Sequence, residues 1–267
     1  MISSCVKQDH SIAWEIYSGV TLLASMKKAL AASAALALVF LLFSFKSTAA
    51  AGEENLIESY RLVEVASVAD AMEQLYGKRA YMSHDMRPLN PAKFAGPAVT
   101  VMLKKEEHHD GAKALQGMLD TIDEAAPGAV YVMVLEDGLD YAGLGGLMST
   151  AMKYRGLAGA VVDGGIRDTP QITKLQFPVF SRGVVPSTTV NHYRFAGKDV
   201  PVNCGGVTVR TDDIVVADMD GVVVVPKENA AAVLKKAQQL DQSEHGMFPF
   251  IEEYKSIREA VAKFGRL

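Results

Sequence analysis

The sequence predicts an α/β domain built on a mixed sheet or two stacked sheets, with a helical C-terminal tail. Three observations predict it. Apolar, β-branched runs at Ala98–Leu103, Ala129–Leu135 and Ala158–Val162 alternate with helix-like segments at Gly111–Ile122 and Leu147–Tyr154. That alternation is the mark of βαβ units. A later block reads differently: Val200–Val209, Ile214–Ala217 and Gly221–Val225 are short, β-branched and separated by turn residues. It reads as an antiparallel meander. Last comes a helical region from Asn229–Gln239 to Phe264, with a break expected near Gly246–Pro249. No GxGxxG follows a strand and no Walker loop is present, so a nucleotide fold has no support.

Length and composition set the bounds. The chain has 267 residues, 49% hydrophobic and 22% charged, which suits one well-packed domain that needs no staples. A net charge of −4 and the lack of a Lys/Arg-rich block argue against a nucleic-acid surface.

Taken in order, the amino terminus comes first. Lys27-Lys28 precede an uncharged apolar run, Ala29–Phe45, and then small residues from Ser47 to Gly52. Charged start, apolar middle and A-x-A end are the parts of a secretory signal peptide. Met26 directly precedes the lysines and is the expected initiator, with residues 1–25 an over-called start. Cleavage is expected after Ala50 or Ala51, leaving residues 52–267 as a single domain in the periplasm or outside the cell. The rival reading is an uncleaved membrane anchor, since the run of about 17 residues sits at the low limit for a span. Residues 1–51 carry four basic and two acidic side chains, so the remainder has a net charge of −6. Cys5 is lost with this segment. Cys204 is then alone, in a strand-like run, and reads as a small buried apolar residue without a disulfide partner.

In the remainder, apolar residues recur at helical spacing from Ser59 to Leu75, and Gly77 ends the pattern. Arg87-Pro88-Leu89-Asn90-Pro91 is a proline-fixed, extended link. After the strand Ala98–Leu103, Lys104–Asp110 is polar. Glu106-Glu107-His108-His109-Asp110 offers metal-ligand types, but adjacent side chains diverge, and a solvated loop is the expectation. Ala126-Pro127-Gly128 is a turn, and Gly138–Gly146 a glycine-punctuated loop. Asp212-Asp213 reads as a turn. Asp218-Met219-Asp220-Gly221 opens like a calcium loop, lacks the downstream glutamate, and reads as a tight turn.

The densest chemistry lies in Ala158–Asp168, AGAVVDGGIRD. Asp163-Gly164-Gly165 is expected to stop the strand, since these residues tolerate positive φ. Arg167 and Asp168 follow, and Thr169-Pro170 looks like a first helical turn. In open α/β sheets ligands bind at the carboxyl ends of the strands. There Arg167 suits a carboxylate and Asp168 a hard metal ion. The plain alternative is a surface pair with Asp168 as an N-cap. Gly143-Leu144-Gly145-Gly146 leads into another helix, whose unpaired amides suit a carboxylate or phosphate, or is simply a flexible loop. If the two preceding strands are neighbours, both features converge on one ligand.

These residues resemble the RraA-like family, which includes the 4-hydroxy-4-methyl-2-oxoglutarate aldolases. The motifs are Asp163-Gly164-Gly165-Ile166-Arg167-Asp168, Phe177-Pro178-Val179-Phe180 and Arg182-Gly183. Val68-Ala69-Asp70-Ala71, Arg87-Pro88-Leu89, Gly96-Pro97-Ala98-Val99-Thr100, Pro127-Gly128, Val200-Pro201-Val202, Cys204-Gly205-Gly206-Val207 and Asp220-Gly221-Val222 agree in the family's order. The resemblance implies a β/β/α swivelling domain in a homotrimer or dimer of trimers, with sites between subunits. It implies a divalent-metal-dependent lyase, using Mg²⁺ or Mn²⁺, on a small 2-oxo acid. The reaction is retro-aldol cleavage of a 4-hydroxy-2-oxo acid to pyruvate, oxaloacetate decarboxylation, or both. By position, Arg167 would bind carboxylate and enolate oxygens, and Asp168 would be the metal ligand. Gly145, Gly146, Leu147 and Met148 would form an amide cradle.

One departure matters. Where the family pattern has an Asp that orders metal-bound water, this chain has Gly146, and Ala142 stands at the pattern's earlier Gly. The resemblance also implies an acidic residue supplied across the subunit interface, for which Glu244 is the candidate. A rival function is a non-catalytic, exported trimer that binds a small acid or carbohydrate. The family name comes from inhibitors of a cytoplasmic ribonuclease, from which export would separate this protein. A methyltransferase label that accompanies such sequences lacks an S-adenosylmethionine glycine loop here. No nucleic-acid partner is expected, and no stable membrane partner unless the signal peptide stays uncleaved.

Overall fold

The computed structural model describes residues 55–265. The expected initiator Met26, the signal peptide and its cleavage point lie outside the described residues. Helix α1 (residues 55–62) and helix α2 (Val65–Tyr76) replace the single helix expected over Ser59–Leu75. The break falls where Val63 is buried and Glu64 is extended, at φ −72° and ψ 141°. The Val65 N–H, orphaned at the start of α2, donates to Asp218 Oδ2 at 3.0 Å. Asp218 is thus more than a turn residue. At the other end α2 stops on Gly77, φ 62°, as its sequence signals.

The strands then follow. β1 (Arg87–Pro88) is a two-residue edge strand, where proline is tolerated. β2 (Phe94–Lys105) is long and leads through a 3₁₀ turn (Gly111–Leu115) to helix α3 (Gln116–Glu124). β3 (Val130–Leu135) is buried throughout. β4 (Ala142–Leu144), helix α4 (Gly146–Tyr154), β5 (Gly159–Ile166), helix α5 (Thr169–Leu175) and β6 (Val179–Val184) complete the βαβ part. β7 (Tyr193–Lys198) precedes the hairpin β8 (Val202–Cys204) and β9 (Val207–Val209). The hairpin β10 (Ile214–Asp218) and β11 (Gly221–Val225) precedes helices α6 (Ala230–Tyr254) and α7 (Ile257–Phe264).

The main sheet runs β1-β6-β5-β3-β2-β10-β11. Its centre, β2, β3, β5 and β6, is parallel, and its flanks are antiparallel. One edge of β2 serves β10 with its first residues and β7 with its last. The mixed sheet expected from the sequence is therefore present. Parallel strands are covered on both faces, which explains their unbroken apolar runs. One apolar cluster lies beneath α3, α4 and α5, one beneath α1, α2 and α6, and a third includes the β8–β9 hairpin. Cys204 is fully buried in the third, and burial pushes its thiol well above the ordinary range.

Four expectations need correction. Asp163-Gly164-Gly165 does not end β5, which continues to Ile166 without positive φ at these residues. Gly165 serves close approach instead: a Cβ there would lie 2.4 Å from Val185 Cγ2 and 2.8 Å from the Tyr141 carbonyl. Val200–Val209 is not one strand of a meander but a hairpin in its own two-stranded sheet. Its turn is Gly205-Gly206, at φ 58° and 81°, as a tight two-residue hairpin demands. α6 does not break near Gly246–Pro249. Gly246 leaves room for the Phe264 ring of α7, which a Cβ would meet at 3.1 Å. The break falls at Lys255, and Ser256 caps α7 by accepting the Glu259 N–H at 3.2 Å. Finally, His108 is buried, not solvated, with Nε2 2.9 Å from the Tyr193 carbonyl and Nδ1 accepting the Asp110 N–H.

Asp163 has a structural task. Its Oδ1 accepts from Arg182 Nε at 2.8 Å and its Oδ2 from the Gly205 N–H at 2.6 Å, while Arg182 also pairs with Asp85. The two part-buried, charge-assisted bonds to Asp163 tie β5, β6 and the β8–β9 turn together. Each is of a kind worth about 1.5–3 kcal/mol. They hold the strand that delivers Arg167 and Asp168. Among the described residues, no helix is long and apolar enough to cross a membrane.

Candidate active site

β4 and β5 are parallel neighbours, with Ala142 opposite Gly165 and Leu144 opposite Ile166. The Arg167 N–H donates to the Leu144 carbonyl at 3.0 Å. This pairing brings the glycine loop to the Arg-Asp pair, so the convergence that the sequence left conditional is realised. Asp168 stands at the N-cap of α5 with φ 55°, a left-handed conformation that Asp tolerates better than most residues. Its carboxylate does not cap α5. Oδ2 reaches across to accept the Gly146 N–H, the first of α4, at 3.0 Å. Arg167 Nη1 donates to the Ser187 carbonyl at 3.1 Å, and Nε lies 3.8 Å from Asp168 Oδ2. Both side chains are about half exposed, at 44% and 51%.

Gly145 makes this closeness possible. Its backbone is extended, so conformation is not the reason for glycine. A Cβ there would lie 2.8 Å from Asp168 Oδ2 and 3.3 Å from Arg167 Cγ. The N-cap residue of α4, Gly145, has no side chain to cap it, and Asp168 takes only the first amide. The amides of Leu147 and Met148, in its first turn, lack helical acceptors and suit an anionic oxygen.

Arg167, Asp168, Gly145, Leu147 and Met148 line one cleft of about 230 Å³. Gly146 sits just behind it, against Asp168 and Gln171. Glu244 is on α6, which packs on α2 and α7, and is not among the residues lining the cleft in this chain. Among the described residues, no group of three His, Cys, Asp or Glu side chains is placed to hold a metal. Asp168 Oδ1 has no hydrogen-bond partner among them. A single half-exposed carboxylate oxygen fits Mg²⁺ or Mn²⁺ of the kind that keeps several waters and takes further oxygens from substrate, while the nearby helix start suits the substrate's negative charge.

The sequence reading missed Ser187. Its Oγ donates to the Asp140 carbonyl at 2.8 Å and accepts the Ala142 N–H at 3.2 Å, while its carbonyl holds Arg167. One residue thus fastens the strand before the cradle to the guanidinium. The polar run Ser187-Thr188-Thr189 after Pro186 was the only signal. Ser187→Ala is expected to raise KM about tenfold while changing kcat less, with Ser187→Thr restoring it. Steady-state kinetics on the two variants checks this.

A family model described as RraA-like, Aldolase/RraA, matches residues 65–224. The chain belongs to the RraA-like family. A relative from Halalkalibacterium halodurans, provisionally named a 4-hydroxy-4-methyl-2-oxoglutarate aldolase, is 34% identical over 191 residues, 70% of this chain and 84% of its own. Among solved structures, a Streptomyces coelicolor protein described as an unusual member of the RNase ES inhibitor RraA family is 31% identical. It matches with a TM-score of 0.64 over 72% of this chain and 94% of that one. An uncharacterized Pseudomonas syringae protein is 26% identical, with a TM-score of 0.71 over 79% and 94%. The RraA-like architecture expected from the sequence is thus the observed one.

Proposed function

We propose that this RraA-like chain is a divalent-metal-dependent lyase acting on a small 2-oxo acid. The observation that supports the reading is the convergence of Arg167, Asp168 and the Leu147 and Met148 amides of the α4 start on one cleft. Names of relatives, aldolases of a hydroxylated oxoglutarate, point the same way.

In this reading the Leu147 and Met148 amides and the Arg167 guanidinium bind the substrate's carboxylate. Arg167 also faces the C2 oxygen as negative charge develops there. In retro-aldol cleavage the C4 hydroxyl loses its proton and the C3–C4 bond breaks. The electron pair passes to the C2 oxygen as an enolate, and C3 then takes a proton to give pyruvate. In decarboxylation carbon dioxide leaves instead. When bound at Asp168, Mg²⁺ or Mn²⁺ supplies Lewis-acid stabilisation of that enolate charge. Asp168 is itself oriented by the Gly146 N–H. Gly146 offers no base; Glu244 from a neighbouring copy is the proposed intersubunit acid, which requires the homotrimer or dimer of trimers. The proposed location is periplasmic or extracellular, on the strength of the apolar segment after Lys27-Lys28.

Gly146 is also what favours the rival, a non-catalytic binding protein. A coupled pyruvate-release assay separates the two. Purified protein is expected to release pyruvate from a panel of 4-hydroxy-2-oxo acids or oxaloacetate with Mg²⁺ or Mn²⁺, and to stop with chelator. No release from any member of the panel would leave the binding reading.

A further inference from the structure

The amide cradle rests on two glycines in series, the residue type with the most backbone freedom to lose. Donors in a site act by being fixed in advance, so these peptides have to be held still. Two hydroxyls of α4 are placed to hold them. Ser149, fully buried, donates from Oγ to the Gly145 carbonyl at 3.0 Å, which also accepts the Ser149 N–H at 3.0 Å. Thr150 donates from Oγ1 to the Gly146 carbonyl at 2.6 Å. Neither side chain lines the cleft. Side-chain bonds to the i−4 carbonyl slightly destabilise a helix, so helix stability does not account for two in succession. Their targets do. A peptide is planar and trans, so fixing its carbonyl fixes the N–H on its other side. The Gly145 carbonyl shares a peptide with the Gly146 N–H, the donor that Asp168 Oδ2 accepts at 3.0 Å. The Gly146 carbonyl shares one with the Leu147 N–H, to which the substrate's carboxylate is assigned above.

We infer that Ser149 and Thr150 are positioning residues with separate tasks. Ser149 holds the Gly146 amide, and through it the Asp168 carboxylate that is to take the metal. Thr150 holds the Leu147 amide for the substrate's carboxylate. This rests on the lyase reading and deepens it: adjacent residues that line no part of the cleft set metal affinity and carboxylate affinity one at a time.

Two probes separate the tasks: Mn²⁺ alone, followed by water-proton relaxation, and pyruvate, followed by calorimetry at saturating Mn²⁺. Ser149→Ala is expected to weaken Mn²⁺ binding about three- to tenfold, the scale of one modest hydrogen bond, and to leave pyruvate affinity near wild type. Thr150→Val keeps the shape of the side chain and loses the donor. It is expected to weaken pyruvate by a similar factor and to leave Mn²⁺ near wild type. Thr150→Ser keeps the donor and should match wild type with both probes. Melting temperatures should change little, because alanine is the better helix former at 149 and valine matches threonine at 150. Hydroxyls that merely stabilised the helix would shift melting and both affinities together. If Thr150→Val does not fold, Thr150→Ala takes its place in the same comparison. Folded variants with wild-type affinity for both probes, or with equal losses of both, overturn this inference and leave the lyase reading standing. Wild-type protein that fails to bind Mn²⁺ or pyruvate overturns both.

Discussion

Arg167→Lys is expected to lower kcat/KM for pyruvate release by about 10²–10³-fold, the range for removing a donor aimed at developing oxyanion charge. The guanidinium has five donors in a flat fork, and only one is engaged in the chain, by the Ser187 carbonyl. The others remain for a substrate carboxylate and the C2 oxygen. A lysine ammonium is a point charge on a flexible stem, so it can meet one of these partners but not hold both in plane. The fall should lie mainly in kcat, because the charge on the C2 oxygen is greatest in the transition state. Stability should change little, since Arg167 is half exposed. Steady-state kinetics and a melting curve on the same sample check both halves. Unchanged kcat/KM would return Arg167 and Asp168 to a surface strand–helix turn.

What the sequence conveyed follows from where each signal resides. Strands buried on both faces, such as β3, read as continuous β-branched runs and were legible within a residue or two. β7 was not. Apart from fully buried Tyr193 its side chains are half-buried or exposed, so it shows no apolar run. β4 was hidden because three residues with a glycine at their centre carry no period; only pairing with β5 makes them a strand. The α6 break was misplaced because Gly246 was judged as a helix breaker. Its role is contact with Phe264, which is tertiary, while Ser256 and Glu259 already marked the start of α7.

The site divides in the same way. Arg167, Asp168 and the cradle glycines were found because a strand-to-helix turn carried adjacent opposite charges, and because the family motif covers them. Their meeting was legible only as a condition. Nothing in the residue pattern marks that Asp168 forgoes its own helix and accepts the first amide of α4. Ser187 holds Arg167 through its carbonyl, which every residue possesses, so nothing in its identity announced that contact. Glu244, reached by position alone, lies on a helix that packs elsewhere in the chain, and its proposed part depends on a second copy.

Gly146→Asp is expected to raise aldol cleavage relative to decarboxylation, on the order of 10²-fold, the lower end of what a positioned base contributes. The structure removes the main objection to the variant. Gly146 is the first residue of α4 and its φ is not positive, so aspartate meets no left-handed strain. An acidic side chain in a first helical turn is favoured by the helix dipole. Space is tight but workable: the Cβ would lie 3.2 Å from Asp168 Cβ and from Gln171 Cγ. Gln171 is exposed and can yield a few tenths of an ångström. The new carboxylate would then stand beside Asp168. Two like charges repel until a cation joins them, so the variant should melt at a lower temperature than wild type in chelator and recover with Mg²⁺. That shift reports on the carboxylate pair without depending on turnover. Decarboxylation should change less, because it requires a sink for the electron pair but no base for a hydroxyl proton. A variant that shows the Mg²⁺-dependent recovery but no gain in aldol cleavage would mean that the proton leaves by another group.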